Sequence, residues 1–269
     1  MHSVFYEPSG TGSFAATAAT AGPWTPHAQH GGPPSALAAR AFELHEADVG
    51  QRLSRVTVDI MRPIPVGKIT IRVRTVRPGR RVTLLEAVME ADGQEVLHAR
   101  GWRIARPDGE VPAIGTAGTP PAIAAEPSQA DFGRAHAEGY MSAIEWRFVS
   151  GRAFREHAAG SVWTRARIPL LPGEDTSPMS RSLLVADSGS GIGSALDPAK
   201  FHYVNVDLTV VLPRDPAGEW LLLESATSIG AEGTGLAESV LSDTSGRCGR
   251  AMQTLFVAPR ERSGQAVRD

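Results

Sequence analysis

The sequence predicts an α+β fold made of two similar halves, each with one helix followed by a run of antiparallel strands. Three observations support this prediction. An amphipathic stretch that begins with proline occurs once in each half, and strand-like segments follow each of these stretches. The pattern V-x-V-D at 56–59 also recurs at 204–207, 148 positions later. An internal duplication explains the recurrence most simply.

The first half contains a predicted helix at 33–47. Pro33 and Pro34 stand at its start, where proline is tolerated, and Leu37, Ala41 and Leu44 form an apolar stripe at spacings of four and three. Four predicted strands follow, and Pro-Gly and Asp-Gly turn signals separate some of them. These strands cover 56–65, 68–76, 80–91 and 94–105.

A linker is predicted between the halves, because the stretch at 106–126 is rich in proline, glycine and alanine and has neither helical nor strand periodicity. The chain is therefore predicted to divide into a first repeat at 1–108, a linker at 109–134 and a second repeat at 135–262.

The second half repeats the pattern. Ser177 is a candidate N-cap, Pro178 occupies the first helical position, and the glycines that follow Asp187 end the predicted helix. The segments with strand character after this helix cover 203–214, 219–230, 234–243 and 247–260. Two such units in tandem could pair their sheets edge to edge.

Composition excludes several classes of function. Lys and Arg total 27 against 29 for Asp and Glu, which gives no general attraction to nucleic acid or anionic membrane. No stretch is apolar enough to span a bilayer, and the first twenty residues lack the pattern of an export signal. With one cysteine, Cys248, the chain is predicted to be cytoplasmic. Exposed strand edges predict a homo-oligomer.

Several segments carry a resemblance to a known family. They are QHGGPPSALAARAFE in the first half and, in the second, ADSGSGIGSALDP, VNVDLTVVLPR, GEWLLLESATSIG and GRAMQTL. With these segments in this order, the chain resembles the double hotdog acyl-CoA thioesterases. Within that family, it resembles the acyl-CoA thioesterase II type and the related actinobacterial thioesterase-like proteins. The resemblance implies a tandem hotdog in which two antiparallel sheets each wrap one long helix. It also implies that the protein hydrolyses a fatty-acyl-type thioester of coenzyme A by means of an activated water.

The resemblance further implies a catalytic group. In the family it comprises an Asp on the second helix, a Thr or similar residue early in the next strand and a Gln in the last strand, which together hold a water. The corresponding residues are Asp187, Asn205 and Gln253. Asn205 departs from the family pattern, because an amide arranges its donors and acceptor differently from a hydroxyl.

The residues themselves favour parts of this assignment. Asp187 shares a helical face with Leu183 and Leu184, so it should point toward the sheet, where burial would improve it as a base. Gln253 is a polar residue on an otherwise apolar strand face. Asn205 lies on the more polar side of its strand, and strand alternation alone predicts that it faces solvent.

The segment His30-Gly31-Gly32 precedes the first helix. Single hotdog thioesterases with a similar segment carry their acid nine residues after the His, at the place of Ala39 here, so the first repeat lacks the carboxylate. Amides of Gly31 or Gly32 could bind an oxyanion of the substrate. His27 and His30 have no further ligand residues nearby and are interpreted as loop or core histidines, so neither a metal nor a cofactor is predicted.

Alternatives remain open at this level. Asp187 could act as a base or attack directly. A catalytically silent acyl-CoA or lipid-binding protein is the first alternative function, and a purely structural oligomerisation domain is another. An enoyl-CoA hydratase-like enzyme ranks lower, because the next histidine after Asp187 is His202, beyond the helix. The arginines between 72 and 81 are interpreted as a solvated face rather than as a phosphate site.

Overall fold

The computed structural model describes residues 2–48, 50–116, 118–126, 138–151 and 159–260. Thirteen strands and four helices make up this part of the chain. In the first half they are β1 (Tyr6–Gly10), β2 (Ser13–Ala16), α1 (Gly32–Leu44), β3 (Gln51–Ile60), β4 (Lys68–Arg77), β5 (Val82–Ala91) and β6 (Gln94–Ala105). In the second half they are α2 (Tyr140–Ala143), β7 (Ile144–Ser150), β8 (Gly160–Ala166), α3 (Pro178–Ala186), α4 (Gly189–Ile192), β9 (Phe201–Asn205), β10 (Asp207–Val211), β11 (Leu221–Ile229), β12 (Thr234–Asp243) and β13 (Gly246–Pro259).

The strands of the two halves form one continuous antiparallel sheet, in which the sheets predicted for the two halves pair edge to edge. Its order is β1-β2-β4-β5-β6-β3-β10-β13-β12-β11-β8-β7, and β9 pairs with β13 beside β10. The two halves meet where β3 pairs with β10. Asp59 lies opposite Asp207 there, and the Thr57 and Thr209 hydroxyls hydrogen-bond at 3.0 Å. Read outward from this junction, both halves have the same strand order.

The two principal helices are shorter than the long helices predicted. α1 has 13 residues and α3 has 9, which correspond to lengths of about 20 and 14 Å at 1.5 Å per residue. The predicted start of α3 is confirmed, because the Ser177 side chain accepts a hydrogen bond from the amide of Ser180 and Pro178 is the first helical residue. The chain then turns at Asp187 and Ser188 before the short α4, so the Ser-Gly run ends α3 early.

α1 and α3 pack against each other as well as against the sheet. α1 contacts the strands of the first half and α3 contacts those of the second. The Ser180 hydroxyl of α3 donates to the carbonyl of Ala36 in α1 at 3.1 Å. A Cβ atom at Gly32 would lie 2.1 Å from the Leu184 carbonyl oxygen, so the backbones could not approach this closely with a larger residue. This contact brings the start of α1 to the end of α3.

The predicted linker and repeat boundaries remain predictions. Residues 111–116 and 118–124 contain no helix or strand, while 127–134 of the predicted linker and 261–262 of the second repeat lie outside the described residues. Within the described part of the chain, no helix is long and apolar enough to cross a membrane.

Glu43 of α1 makes the stability of the folded protein depend on pH. Its carboxyl group is half-buried beside a cavity of about 120 Å³ between α1 and the start of α3. Burial raises the pKa of Glu43 from 4.5 to about 7, although a hydrogen bond with Ser177 opposes the rise. The folded protein therefore holds this proton more tightly than the unfolded chain, and stability falls as the pH rises from about 4.5 to 7.

We expect Glu43→Gln to increase the free energy of unfolding at pH 8 by about 1–3 kcal/mol, because no charge then has to be buried. At pH 4 the substitution should change stability little, because the carboxyl group is mostly protonated in both states. Urea unfolding at the two pH values measures the difference. Glu110→Gln, at an exposed carboxylate, is the matched control. If Glu43→Gln were less stable than the wild type at pH 8, the raised pKa of Glu43 would be contradicted.

Candidate active site

Asp187 caps the C-terminal end of α3 and points into the protein. The apolar face of α3, with Leu183 and Leu184 fully buried, directs this end of the helix toward the sheet, and the side chain of Asp187 is only 5% exposed. The residue therefore lies where the sequence analysis placed it, against the sheet and not in bulk solvent.

Two amides from neighbouring strands hold the Asp187 carboxylate. The Asn205 side chain of β9 donates to Oδ1 at 2.7 Å, and the Gln253 side chain of β13 donates to the same oxygen at 3.2 Å. The Gln253 Nε2 group also donates to the Asp187 carbonyl oxygen at 3.1 Å, and its Oε1 accepts from the Ser190 amide at 3.0 Å. The structure thus brings together the three residues predicted to be catalytic.

His30 contacts the other carboxylate oxygen. Its Nδ1 atom lies 3.1 Å from Asp187 Oδ2, and its ring stacks on that of Tyr140 with centroids 3.7 Å apart. The Tyr140 hydroxyl in turn donates to the Leu184 carbonyl at 2.9 Å, which fixes the stack against α3. Burial lowers the pKa of His30, although the nearby Asp187 acts in the opposite direction. The imidazole is therefore neutral at neutral pH.

The position of the His30 proton decides which neighbour the ring binds. Nδ1 lies 3.1 Å from the amide nitrogen of Gly32 as well as 3.1 Å from Asp187 Oδ2. A neutral ring nitrogen either donates or accepts, so Nδ1 can donate to the carboxylate or accept from the amide, but not both at once.

The two glycines predicted to bind substrate differ in their surroundings. Gly31 lines the cavity described below, and a Cβ there would lie 2.8 Å from both oxygens of Asp187. No acceptor among the described residues receives its amide hydrogen. Gly32 does not line the cavity, its amide faces His30, and Pro33 and Pro34 offer no N–H groups. The predicted substrate contact at Gly32 stays a prediction, and of the two glycines Gly31 is the one that lines the cavity.

A cavity of about 540 Å³ opens beside the carboxylate. Asp187, Asn205 and His30 lie on its wall, which is otherwise mainly apolar and aromatic. Side chains that contribute this apolar surface include Trp24, Ile64, Met141, Trp146, Ile192 and Phe201. Gln253 is 2% exposed and lies behind Asp187, outside the cavity lining. It can position the carboxylate but does not reach a molecule in the cavity.

Asn205 faces the cavity and not solvent, contrary to strand alternation. β9 ends at Asn205 and β10 begins at Asp207, so the chain is interrupted where alternation assumed one continuous strand. The polar side of β9 lines the cavity, with Tyr203 buried on the same side as Asn205. The Asn205 Oδ1 atom has no donor among the described residues, so it is free to accept from a bound water or ligand.

His30 is the functional residue that sequence reasoning underestimated. It was interpreted as a loop or core histidine, and it is the histidine that contacts Asp187. The His-Gly-Gly segment was the available signal, because two glycines let the chain approach another backbone closely. No group of three potential metal ligands occurs among the residues that the structure describes.

The chain is similar to known proteins in both sequence and structure. Two protein-family models match the chain, an acyl-CoA thioesterase N-terminal domain at residues 20–104 and an acyl-CoA thioesterase C-terminal domain at residues 118–257. A search of curated protein sequences found no match.

Three solved structures illustrate the similarity in fold. A candidate thioesterase from Novosphingobium aromaticivorans is 19% identical, with a TM-score of 0.73 and coverage of 94% of this chain and 98% of that one. Acyl-CoA thioesterase II TesB2 from Mycobacterium marinum is 14% identical, with a TM-score of 0.65 and 97% coverage of both chains. A protein of unknown function with a hot dog fold from Alicyclobacillus acidocaldarius is 19% identical, with a TM-score of 0.67 and coverage of 91% and 93%.

Proposed function

Because the chain belongs to the acyl-CoA thioesterase family, whose two domain models match it at 20–104 and 118–257, we propose that it hydrolyses a fatty-acyl-type thioester of coenzyme A. The observation that carries the proposal is a buried carboxylate held by two amides on the wall of a largely apolar cavity. The acyl chain would pack in the cavity against apolar side chains outside β9, such as Ile64, Met141 and Trp146, and the carboxylate would act on the water. We also infer that the paired halves of the sheet form a double hotdog.

In the proposed reaction Asp187 acts as general base. It takes a proton from a water whose oxygen attacks the thioester carbonyl carbon, and the carbonyl oxygen becomes negatively charged. The amide of Gly31, which has no acceptor among the described residues, would donate to that oxygen, as a hydrogen-bond donor at a developing oxyanion should. Collapse of the intermediate breaks the carbon–sulfur bond, and the proton on Asp187 passes to the leaving thiolate. The products are a carboxylic acid and free coenzyme A.

The amide residues have different proposed roles. Asn205 lines the cavity, and its free Oδ1 can accept a hydrogen from the attacking water while its Nδ2 holds Asp187. Gln253 is a positioning residue, because both hydrogens of its amide are already directed at Asp187. His30 would fix the second carboxylate oxygen in the tautomer whose proton is on Nδ1.

Hydrolysis is tested with acyl-CoA substrates of graded chain length and a thiol reagent. We expect release of free thiol at a rate that depends on the acyl chain, because the chain fills an apolar cavity of limited size. Absence of thiol release above background for every chain length, with tight binding of acyl-CoA by calorimetry, would favour the silent binding protein. A structural domain alone would show neither turnover nor binding.

A second candidate function is enoyl-CoA hydration, which the sequence analysis ranked low for want of a histidine near Asp187. That reason is wrong, because His30 of the first half lies 3.1 Å from the carboxylate. A histidine and a carboxylic acid side by side could exchange protons with a water and a carbon–carbon double bond. Loss of the conjugated enoyl absorbance on incubation with an enoyl-CoA, without thiol release, would favour this function over hydrolysis.

A further inference from the structure

The cavity extends along β9 away from the carboxylate. Every residue of β9, from Phe201 to Asn205, lies on its wall. Asn205 at one end binds Asp187, and Phe201 at the other end pairs with Pro259 at the end of β13. Four residue steps at roughly 3.3 Å each separate these ends by about 13 Å.

An arginine, Arg260, lines the cavity at the far end of β9. Arg260 follows β13, and its backbone amide donates to the Lys200 carbonyl at 2.8 Å, next to Phe201. Its Nε donates to the Pro198 carbonyl at 2.8 Å, which holds the side chain, and neither terminal nitrogen has a partner among the residues that the structure describes. Among the described residues, no carboxylate lies within ion-pair distance of Arg260. His202 is also among the lining residues at this end of the cavity.

Other arginines are less suitable as anion ligands here. Arg72 and Arg74, part of the cluster noted in the sequence, pair with Glu90 and Glu86 and do not line the cavity. Arg62 also lines the cavity, but it lies near the end of β9 that carries Asn205 and contacts Asp187. It is two residues after Ile60, whose amide donates to the carbonyl of Val206, the residue that follows β9. Its Nη1 donates to Gln94 at 2.9 Å.

We propose that Arg260 binds a phosphate group of the coenzyme A portion of the substrate. This inference rests on the proposed function. In an acyl-CoA an extended, uncharged pantetheine arm separates the thioester from the phosphates, so the enzyme needs a cation at a distance from the catalytic carboxylate. Pantetheine would lie along β9, with the thioester at Asp187 and a phosphate at Arg260. Guanidinium groups suit phosphate because they can donate two parallel hydrogen bonds.

The kinetic test compares two thioesters with the same acyl group, acyl-CoA and acyl-N-acetylcysteamine, which has no phosphate. We expect Arg260→Gln to lower the ratio of their kcat/KM values about tenfold, mainly through a higher KM for acyl-CoA. Arg250→Gln, at an exposed position of β13 outside the cavity, is the matched control and should leave the ratio unchanged. An unchanged ratio in Arg260→Gln would overturn the proposal.

A binding experiment separates this proposal from the proposed function. Calorimetry with coenzyme A and with pantetheine needs no turnover, and Arg260→Gln should weaken only the binding of coenzyme A. Comparison with 3′-dephospho-coenzyme A identifies the phosphate, and an acyl thioester on a phosphopantetheine carrier protein tests a carrier-bound source. If no thioester is hydrolysed, coenzyme A binding still decides the role of Arg260. Equal affinity of coenzyme A for the wild type and the variant would refute it.

Discussion

Replacement of Asp187 by Asn is expected to reduce kcat for acyl-CoA hydrolysis by about 10²–10⁴-fold while the protein stays folded. Asparagine has the same shape, and its oxygen can still accept from the amides of Asn205 and Gln253. Its NH₂ group can donate to Nδ1 of His30, so no buried polar group is left without a partner. What the variant lacks is a group that can take a proton from water. The measurement is kcat from thiol release, with circular dichroism as the check on folding.

Asp108→Asn is the matched control for this substitution. Asp108 is exposed and lies outside the cavity lining, so its loss should leave kcat unchanged. If Asp187→Asn retained wild-type activity, the proposed mechanism would have no base, because Asp187 is the one carboxylate among the described residues that line the cavity.

Replacement of Gly31 by Ala is expected to lower kcat about 10–100-fold through a purely steric effect. The backbone at Gly31 has φ −66° and ψ −18°, a conformation that alanine adopts readily. The added Cβ would lie 2.8 Å from both carboxylate oxygens, which is closer than van der Waals contact. The Asp187 carboxylate would have to move away from this Cβ, and the movement would disturb its hydrogen bond with Asn205. Steady-state kinetics measure the loss.

Gly67→Ala provides the control for Gly31→Ala, because a Cβ at Gly67 would meet no atom within 4 Å. The double variant Gly31→Ala, Asp187→Asn supplies a further check. If alanine acts by displacing the carboxylate, it should cost little additional activity once the carboxylate is absent. If the double variant instead lost kcat by the product of the two single-variant factors, Gly31 would act in another way, for example through its amide.

Local features of the fold were predictable from the sequence. Ser177 and Pro178 correctly marked the start of α3, because capping depends on neighbouring residues alone. The strands after each helix were found from alternation, although β3 begins at Gln51, five residues before the predicted strand. Helix ends were harder to predict: the glycines after Asp187 were expected to end the helix, and α3 does stop at Ala186, but a separate short helix, α4, follows at Gly189–Ile192.

The candidate site was only partly predictable, for a physical reason. Asp187 and Gln253 stood out because each is a polar residue among apolar neighbours on its own element. The contact of His30 with Asp187 depends on the packing of α1 against α3, which no local spacing encodes. The direction of Asn205 depends on the interruption between β9 and β10. Such long-range arrangements need coordinates.

The contact between the start of α1 and the end of α3 means that neither half of the chain holds a complete site. His30 and Gly31 come from one half, and Asp187, Asn205 and Gln253 from the other. Two identical units joined in the same way would hold two equivalent centres, but the place nine residues after His30 is occupied by Ala39. Under the proposed mechanism the two halves therefore have different roles, and the described part of each chain holds one reactive centre. Separately expressed fragments could regain activity only by reassociating.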